Sequence, residues 1–358
     1  MKKLTIILLI LMVFGIGGYF IWKYFFQTQE NVVVQPPPPP IDNQAPIDAN
    51  KAVLNLLGGE NVFDYWTSDS GKIYYISLNG EIYEINGSDE KKITSQPIQE
   101  LNYLKPSFDG KFILLSFGGG LEKSFSVFDT ETLSWNPMPE GAVSADWRPN
   151  KYEIGYTTAP SQGESTVNIM NAETKKTSLV TKFNARGVEL DWAQEEKINL
   201  LQKPSSVAES GLWSIDLKTK TIKNLASDLS LVIKWNKNGS FGLKYNNFIS
   251  LIDADARVLA SSLPTTLPSK CVFVEKILYC AFPRLINKRD SFLDDYLKKK
   301  LYTEDDFSSI DTETGALNKI FDSGNALIDA DKLRALNNET ILFINRYDNK
   351  IYSLKVNE

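Results

Sequence analysis

The chain has 358 residues, 42% of them apolar, and a formal charge of −5 from 44 acidic and 39 basic side chains. Mixed charge of that kind leaves no basic face for a nucleic acid. The chain contains no histidine, which excludes Ser-His-Asp and Cys-His nucleophile systems and removes the commonest ligand of zinc, copper and haem. No cofactor or metal site is expected, while carboxylate-only chemistry stays open.

After the basic residues Lys2 and Lys3, Leu4–Trp22 runs for nineteen residues without a charge. A helix needs about 20 apolar residues to cross a hydrocarbon core of ~30 Å. The leading lysines place the N-terminus in the cytoplasm and the rest outside, and Tyr19, Trp22 and Tyr24 suit the outer interface. A cleaved signal peptide is the competing reading, but no small-x-small site follows the run, because Gly15–Gly18 gives way to bulky residues. Residues 1–26 are therefore expected to form a cytoplasmic tip and an uncleaved transmembrane anchor, with the membrane as one partner. Residues 27–50 follow as a linker whose five prolines, Pro36–Pro40, favour polyproline II and so a semi-rigid spacer.

From residue 51 onward the chain repeats. Trp66, Trp147, Trp192 and Trp235 each precede a polar turn and an apolar run, and Pro106 takes the same place in KPSFDGKFILLSF; the intervals are 40, 41, 45 and 43 residues. A second signal keeps phase with the first: an alternating strand, then Asn86, Asp129, Asn171, Asp216, Asp253 or Asp311, then a polar turn. Asp or Asn there can accept from a backbone N–H two residues on and pin a tight turn between antiparallel strands. Four short strands per unit at this period predict a seven-bladed all-β propeller of four-stranded antiparallel blades, rather than a sandwich, across residues 51–358. The last unit stops without an outer strand, and Lys51–Leu57 precedes the first without a partner, so that N-terminal run is expected to close the ring and remove an exposed edge.

Ser107–Lys111, SFDGK, resembles the Ser-Pro-Asp-Gly-Lys turn of TolB-like β-propellers, and Trp147–Asn150, WRPN, looks like a worn copy of it. The resemblance covers roughly 51–358 and implies the fold. It implies no ligand, since propellers carry many unrelated functions. No stretch resembles the hydrolase domain that accompanies the propeller of prolyl-oligopeptidase-like enzymes.

Three features stand apart from the repeat. Cys271 and Cys280 would face each other across a hairpin turning at Glu275–Lys276, as a non-hydrogen-bonded pair ~4.5 Å apart at Cα. Outside the membrane that predicts a disulfide. In blade six an insertion, residues 283–306, contains a stripe of Phe292, Leu293, Tyr296, Leu297 and Leu301 at helical spacing, read as a helix packed across one propeller face or as a lid or docking element. Asp146, Asp191 and Lys234 each stand just before a repeat Trp, and Arg148 just after one. Together these four form a candidate binding ring at the channel mouth, with salt bridges between blades as the plainer reading.

These features predict a membrane-tethered extracytoplasmic (periplasmic or cell-surface) scaffold that binds another envelope protein or a polymer. The alternative is a carboxylate-based lyase or glycosidase acting on cell-surface glycan. It needs two opposed carboxylates, and the adjacent Asp305 and Asp306 should diverge.

Overall fold

The computed structural model describes residues 53–356 other than 88, 95, 120–122, 159–163, 186, 262 and 286–291. The expected anchor and linker fall on residues 1–50, outside the described residues.

The chain opens with β1 (Val53–Gly58) and then lays down four-stranded meanders. Blade one is β2 (Val62–Thr67), β3 (Ile73–Ser77), β4 (Ile82–Asn86) and β5 (Asp89–Lys92). Blade two is β6 (Leu101–Pro106), β7 (Phe112–Phe117), β8 (Ser124–Asp129) and β9 (Ser134–Pro137). Blade three is β10 (Ala142–Trp147), β11 (Glu153–Thr158), β12 (Ser165–Asn171) and β13 (Thr177–Phe183). Blade four is β14 (Val188–Gln194), β15 (Lys197–Gln202), β16 (Glu209–Asp216) and β17 (Ile222–Leu229). Blade five is β18 (Val232–Trp235), β19 (Phe241–Tyr245), β20 (Ile249–Asp253) and β21 (Val258–Ala260). Blade six is β22 (Cys271–Val274), β23 (Ile277–Pro283), β24 (Asp305–Asp311) and β25 (Leu317–Phe321), with a short helix α1 (Phe292–Leu297) between β23 and β24. Blade seven is β26 (Ala330–Asn337), β27 (Thr340–Asn345) and β28 (Lys350–Lys355), and β1 supplies its outer strand antiparallel to β28, with Val53 opposite Lys355 and Leu56 opposite Tyr352. The molecule is a seven-bladed all-β propeller.

Period-two patterning puts the core between blades. Along β14, Val188, Leu190 and Trp192 are buried and alternate with more exposed neighbours. The Trp192 ring packs on blade three so closely that a Cβ on Gly155 would lie 2.9 Å from it; the backbone of β11 can approach only because residue 155 has no side chain. The first strand of each blade lines the ring centre, so β10 touches β14 and β22 touches β26. The fourth strands β5 and β21 are exposed along their whole length.

The repeat Asx residues close turns as the sequence suggests. Asp216 Oδ1 accepts from Lys218 N at 3.0 Å and Thr219 N at 2.7 Å, and Asn171 and Asp311 do the same in their blades. Asn86 instead sits opposite Asp89 across a two-residue turn with Gly87 at φ 64°, too tight to leave room for an Asx loop. In SFDGK, Ser107 Oγ donates to Asp109 Oδ1 at 2.6 Å, and Gly110, at φ 72°, lies against Thr67 O of blade one, where a Cβ would clash at 2.3 Å.

Because each blade is an antiparallel meander, its connections alternate between the two ends of the ring. The tight turns between first and second and between third and fourth strands share one end. The connections between second and third strands, and from blade to blade, share the other, which therefore carries the insertion.

Candidate functional site

The ring centre comes first. Lys105 occupies in β6 the position that Asp146 and Asp191 occupy in β10 and β14, since it precedes Pro106. Its ammonium lies 2.5 Å from Asp146 Oδ2 and 3.4 Å from Asp191 Oδ1. Asp146 also accepts from Trp147 N at 2.7 Å and from Trp192 N at 3.0 Å, which ties blade three to blade four. Burial, reinforced by Asp191, raises the Asp146 carboxyl to about 6 even though Lys105 pulls it back. The surrounding protein would lower Lys105, whose side chain is still partly exposed, but Asp146, Tyr103 and Asp191 outweigh it and hold the ammonium well above its ordinary range.

Lys234 stands elsewhere on the ring. Its Nζ donates to Cys271 O at 2.5 Å and Leu333 O at 3.2 Å, across blades six and seven. Burial, with the nearby Arg334 guanidinium, lowers its pKa to about 8. Arg148 lies outside this group. It bridges Glu153 at 2.7 Å and Glu196 at 3.1 Å and stacks over the Trp192 ring at 5.4 Å, so it clamps blades three and four at the turn end. Of the four sequence-derived ring residues, the fold brings Asp146 and Asp191 together around Lys105 and separates them from Lys234 and Arg148.

The insertion end differs in character. In α1, Phe292, Leu293 and Tyr296 are buried against Tyr245 and Leu267, with Val232 and Leu301 beside them. Leu297, fourth in the expected stripe, is 56% exposed, because the helix ends there and the chain turns away through Lys299 at φ 57°. Ser206 Oγ, in the blade-four loop, donates to Asp294 Oδ2 at 2.8 Å. Arg346 of blade seven donates to Tyr296 O at 3.0 Å and lies 3.7 Å over the Tyr296 ring. The insertion is thus fastened to blades four, five and seven.

Around it the equivalent connections leave apolar side chains in water. Val207 is 87% exposed on the β15–β16 loop and Phe248 is 61% exposed on the β19–β20 loop; Leu285, Leu297 and Tyr302 are exposed on the insertion itself. They come from three successive blades at one end of the ring.

Cys271 and Cys280 face one another in the β22–β23 register and form a disulfide, with Cα atoms 4.1 Å apart. Asp305 and Asp306 point to opposite sides of β24: Asp305 is fully buried against Lys270, whereas Asp306 pairs with Lys319 at 2.9 Å and accepts from Ser323 N at 3.0 Å. Among the described residues no group of three or more His, Cys, Asp or Glu is placed to hold a metal ion.

Fold and ring together define a β-propeller whose central charges are largely paired with one another. No protein-family model matches the chain, and no curated protein matches it. Among solved structures it is similar to an oligogalacturonate lyase in complex with manganese, at 13% identity and TM-score 0.58 over 87% of this chain and 95% of that one. It is also similar to a prolyl endopeptidase, at 13% identity and TM-score 0.54 over 85% of this chain. The match spans only 51% of the endopeptidase chain. At such identity the likeness concerns the fold.

Proposed function

We propose that this chain is a TolB-like, membrane-tethered, extracytoplasmic propeller that holds another protein of the cell envelope on its insertion end. The observation that carries the reading is the apolar fringe of Val207, Phe248, Leu285, Leu297 and Tyr302 on the connections of blades four to six. Single exposed apolar residues are ordinary, but several gathered at one end of a ring beside a helix are the usual mark of a protein contact. The anchor and proline spacer expected from residues 1–50 would tether the propeller and hold it off the bilayer.

A carboxylate-based glycan enzyme is the second reading, favoured by the likeness to the oligogalacturonate lyase. It is the weaker of the two, because Asp305 and Asp306 diverge and Asp146 and Asp191 share one lysine.

The test is in-cell cross-linking of the full chain against the double variant Val207→Glu, Phe248→Glu. Both side chains are exposed, so the variant should melt as the parent does. A specific cross-linked partner should be present with the parent and lost with the variant. Equal recovery from both would remove the insertion end from consideration.

A further inference from the structure

Beneath the insertion, Lys270 ends the turn that leads into β22, and it is wholly buried together with Asp305 and Asp329. Its Nζ lies 2.5 Å from Asp305 Oδ2, 2.5 Å from Asp329 Oδ1 and 2.8 Å from Thr303 Oγ1. The two carboxyls have different surroundings. Asp329 Oδ2 accepts from Arg346 Nη1 at 2.9 Å and from Thr303 N at 3.2 Å, and its Oδ1 accepts from the Tyr296 hydroxyl at 3.1 Å. Asp305 has no second cation: Ala330 N donates to Oδ2 at 2.8 Å, and the Thr303 hydroxyl is 2.8 Å from Oδ1.

Arg346 therefore offsets Asp329, while Lys270 is the one cation in contact with Asp305 and lies equally close to Asp329. All three side chains are closed off from bulk solvent, where low polarity penalises separated charges. Burial, with the Asp329 charge beside it, raises the Asp305 carboxyl. Burial alone would lower Lys270, but Asp305 and Asp329 together hold its ammonium above the ordinary range, so the contact geometry of amine and carboxyl, and not the titration of Lys270, carries the inference.

We propose that Lys270 and Asp305 condense into an intramolecular amide, with Asp329 carrying the proton. With a proton passed from Lys270 to Asp305, the neutral Lys270 Nζ attacks Cγ and the C–N bond forms. The Asp329 carboxylate takes a proton from that nitrogen and passes it to the departing hydroxyl. The C–O bond breaks, one water leaves, and Asp329 is a carboxylate again; nothing is oxidised or reduced. Ala330 N–H is aimed at Oδ2, the oxygen that carries the negative charge of the tetrahedral intermediate, while the Thr303 hydroxyl, 2.8 Å from Oδ1 and 3.0 Å from Asp329 Oδ1, links the departing oxygen to Asp329. Amine and carboxyl are already in contact, so the step has the advantage of an intramolecular reaction. Tyr296 and Thr303, both from the insertion, roof the pocket and keep water from reversing the bond. The proposal goes beyond the partner reading and does not rest on it.

The test is mass spectrometry of the full chain, reduced so that the Cys271–Cys280 bond does not contribute, followed by protease digestion. The expected result is a peptide pair joining Lys270 to Asp305, one water lighter than its two parts; this readout is independent of any processing at the N-terminus. Separate, unmodified Lys270 and Asp305 peptides overturn the proposal. A link from Lys270 to Asp329 overturns the assignment of roles. Asp329→Asn keeps the shape but cannot accept the proton, so its digest should show the separate peptides. Water loss retained in that variant, confirmed as folded by its melt, removes Asp329 from the reaction. If the variant does not fold, the digest of the parent chain still decides.

Discussion

Lys105 and Lys270 each stand between two aspartates, and the two clusters are built differently. Lys105, Asp146 and Asp191 come from equivalent positions in blades two, three and four, and water reaches 39% of the Lys105 side chain and 28% of Asp191. Lys270, Asp305 and Asp329 come from unrelated positions: a turn before a first strand, a third strand, and a connection between blades. Solvent reaches none of the three. The first cluster is what a repeat produces when neighbouring strands carry opposite charges. The second lies beneath the insertion, from which Tyr296 and Thr303 reach it, and Arg346 of blade seven closes it from the side.

The contrast is tested most severely at the buried cluster. Lys270→Met removes the nitrogen of the proposed amide, and in chains where that bond has not formed it leaves Asp305 without a cation and Asp329 with Arg346 alone. Removing one partner of a buried ion pair costs about 3–5 kcal/mol, a large part of the ~5–15 kcal/mol available to a domain. The urea midpoint should fall accordingly with the slope unchanged. A shift no larger than that of a surface pair would mean that the insertion does not seal the pocket.

The ring cluster should give less. Lys105→Met is expected to cost about 1–2 kcal/mol, between exposed and buried pairs. Its pH dependence follows from Asp146, whose carboxyl is raised by burial from 3.8 to about 6. In that window the folded state holds the proton more tightly than the unfolded one, so this group's contribution falls as pH rises. Without Lys105 the carboxyl moves higher still, so the deficit of the variant should be largest above pH 6 and shrink toward pH 4. Melts across that range read it directly; a deficit constant with pH would show that Asp146 does not feel Lys105.

Much of this was legible in the sequence, and the physical reason separates what was from what was not. Trp192 and its counterparts, in four blades, and Asp216 and its counterparts, in six, recur in phase because a blade must pack against its neighbour and close its outer turn, so the propeller shows in the spacing alone. The Cys271–Cys280 pairing was visible because a hairpin register is local. Lys105 was missed although the signal existed: it holds the position before Pro106 that Asp146 holds before Trp147. Lys270 could not be found this way. Its partners lie 35 and 59 residues away, at positions with no periodic relation, and only ring closure and the insertion bring them together. Val207 and Phe248 likewise look like ordinary loop residues until the topology places their loops at one end.

Lys234 completes the comparison as a ring lysine paired with no carboxylate, and its effect should be the smallest and of opposite sign. Its Nζ meets only two carbonyl oxygens, Cys271 O and Leu333 O, and burial with Arg334 nearby lowers it from 10.5 to about 8. At neutral pH the folded state therefore holds a charge that it disfavours. Lys234→Met removes that charge but also two hydrogen bonds, each worth about 1 kcal/mol net, so the variant should be more stable at pH 7 by only about 1 kcal/mol. From pH 8 to 10.5 the unfolded chain binds more protons at this site than the folded one, so the parent gains stability with rising pH. The advantage of the variant should shrink over the same window. A variant less stable than the parent at pH 7 would show that the two carbonyls compensate the buried ammonium, and that the ring favours a cation at this position.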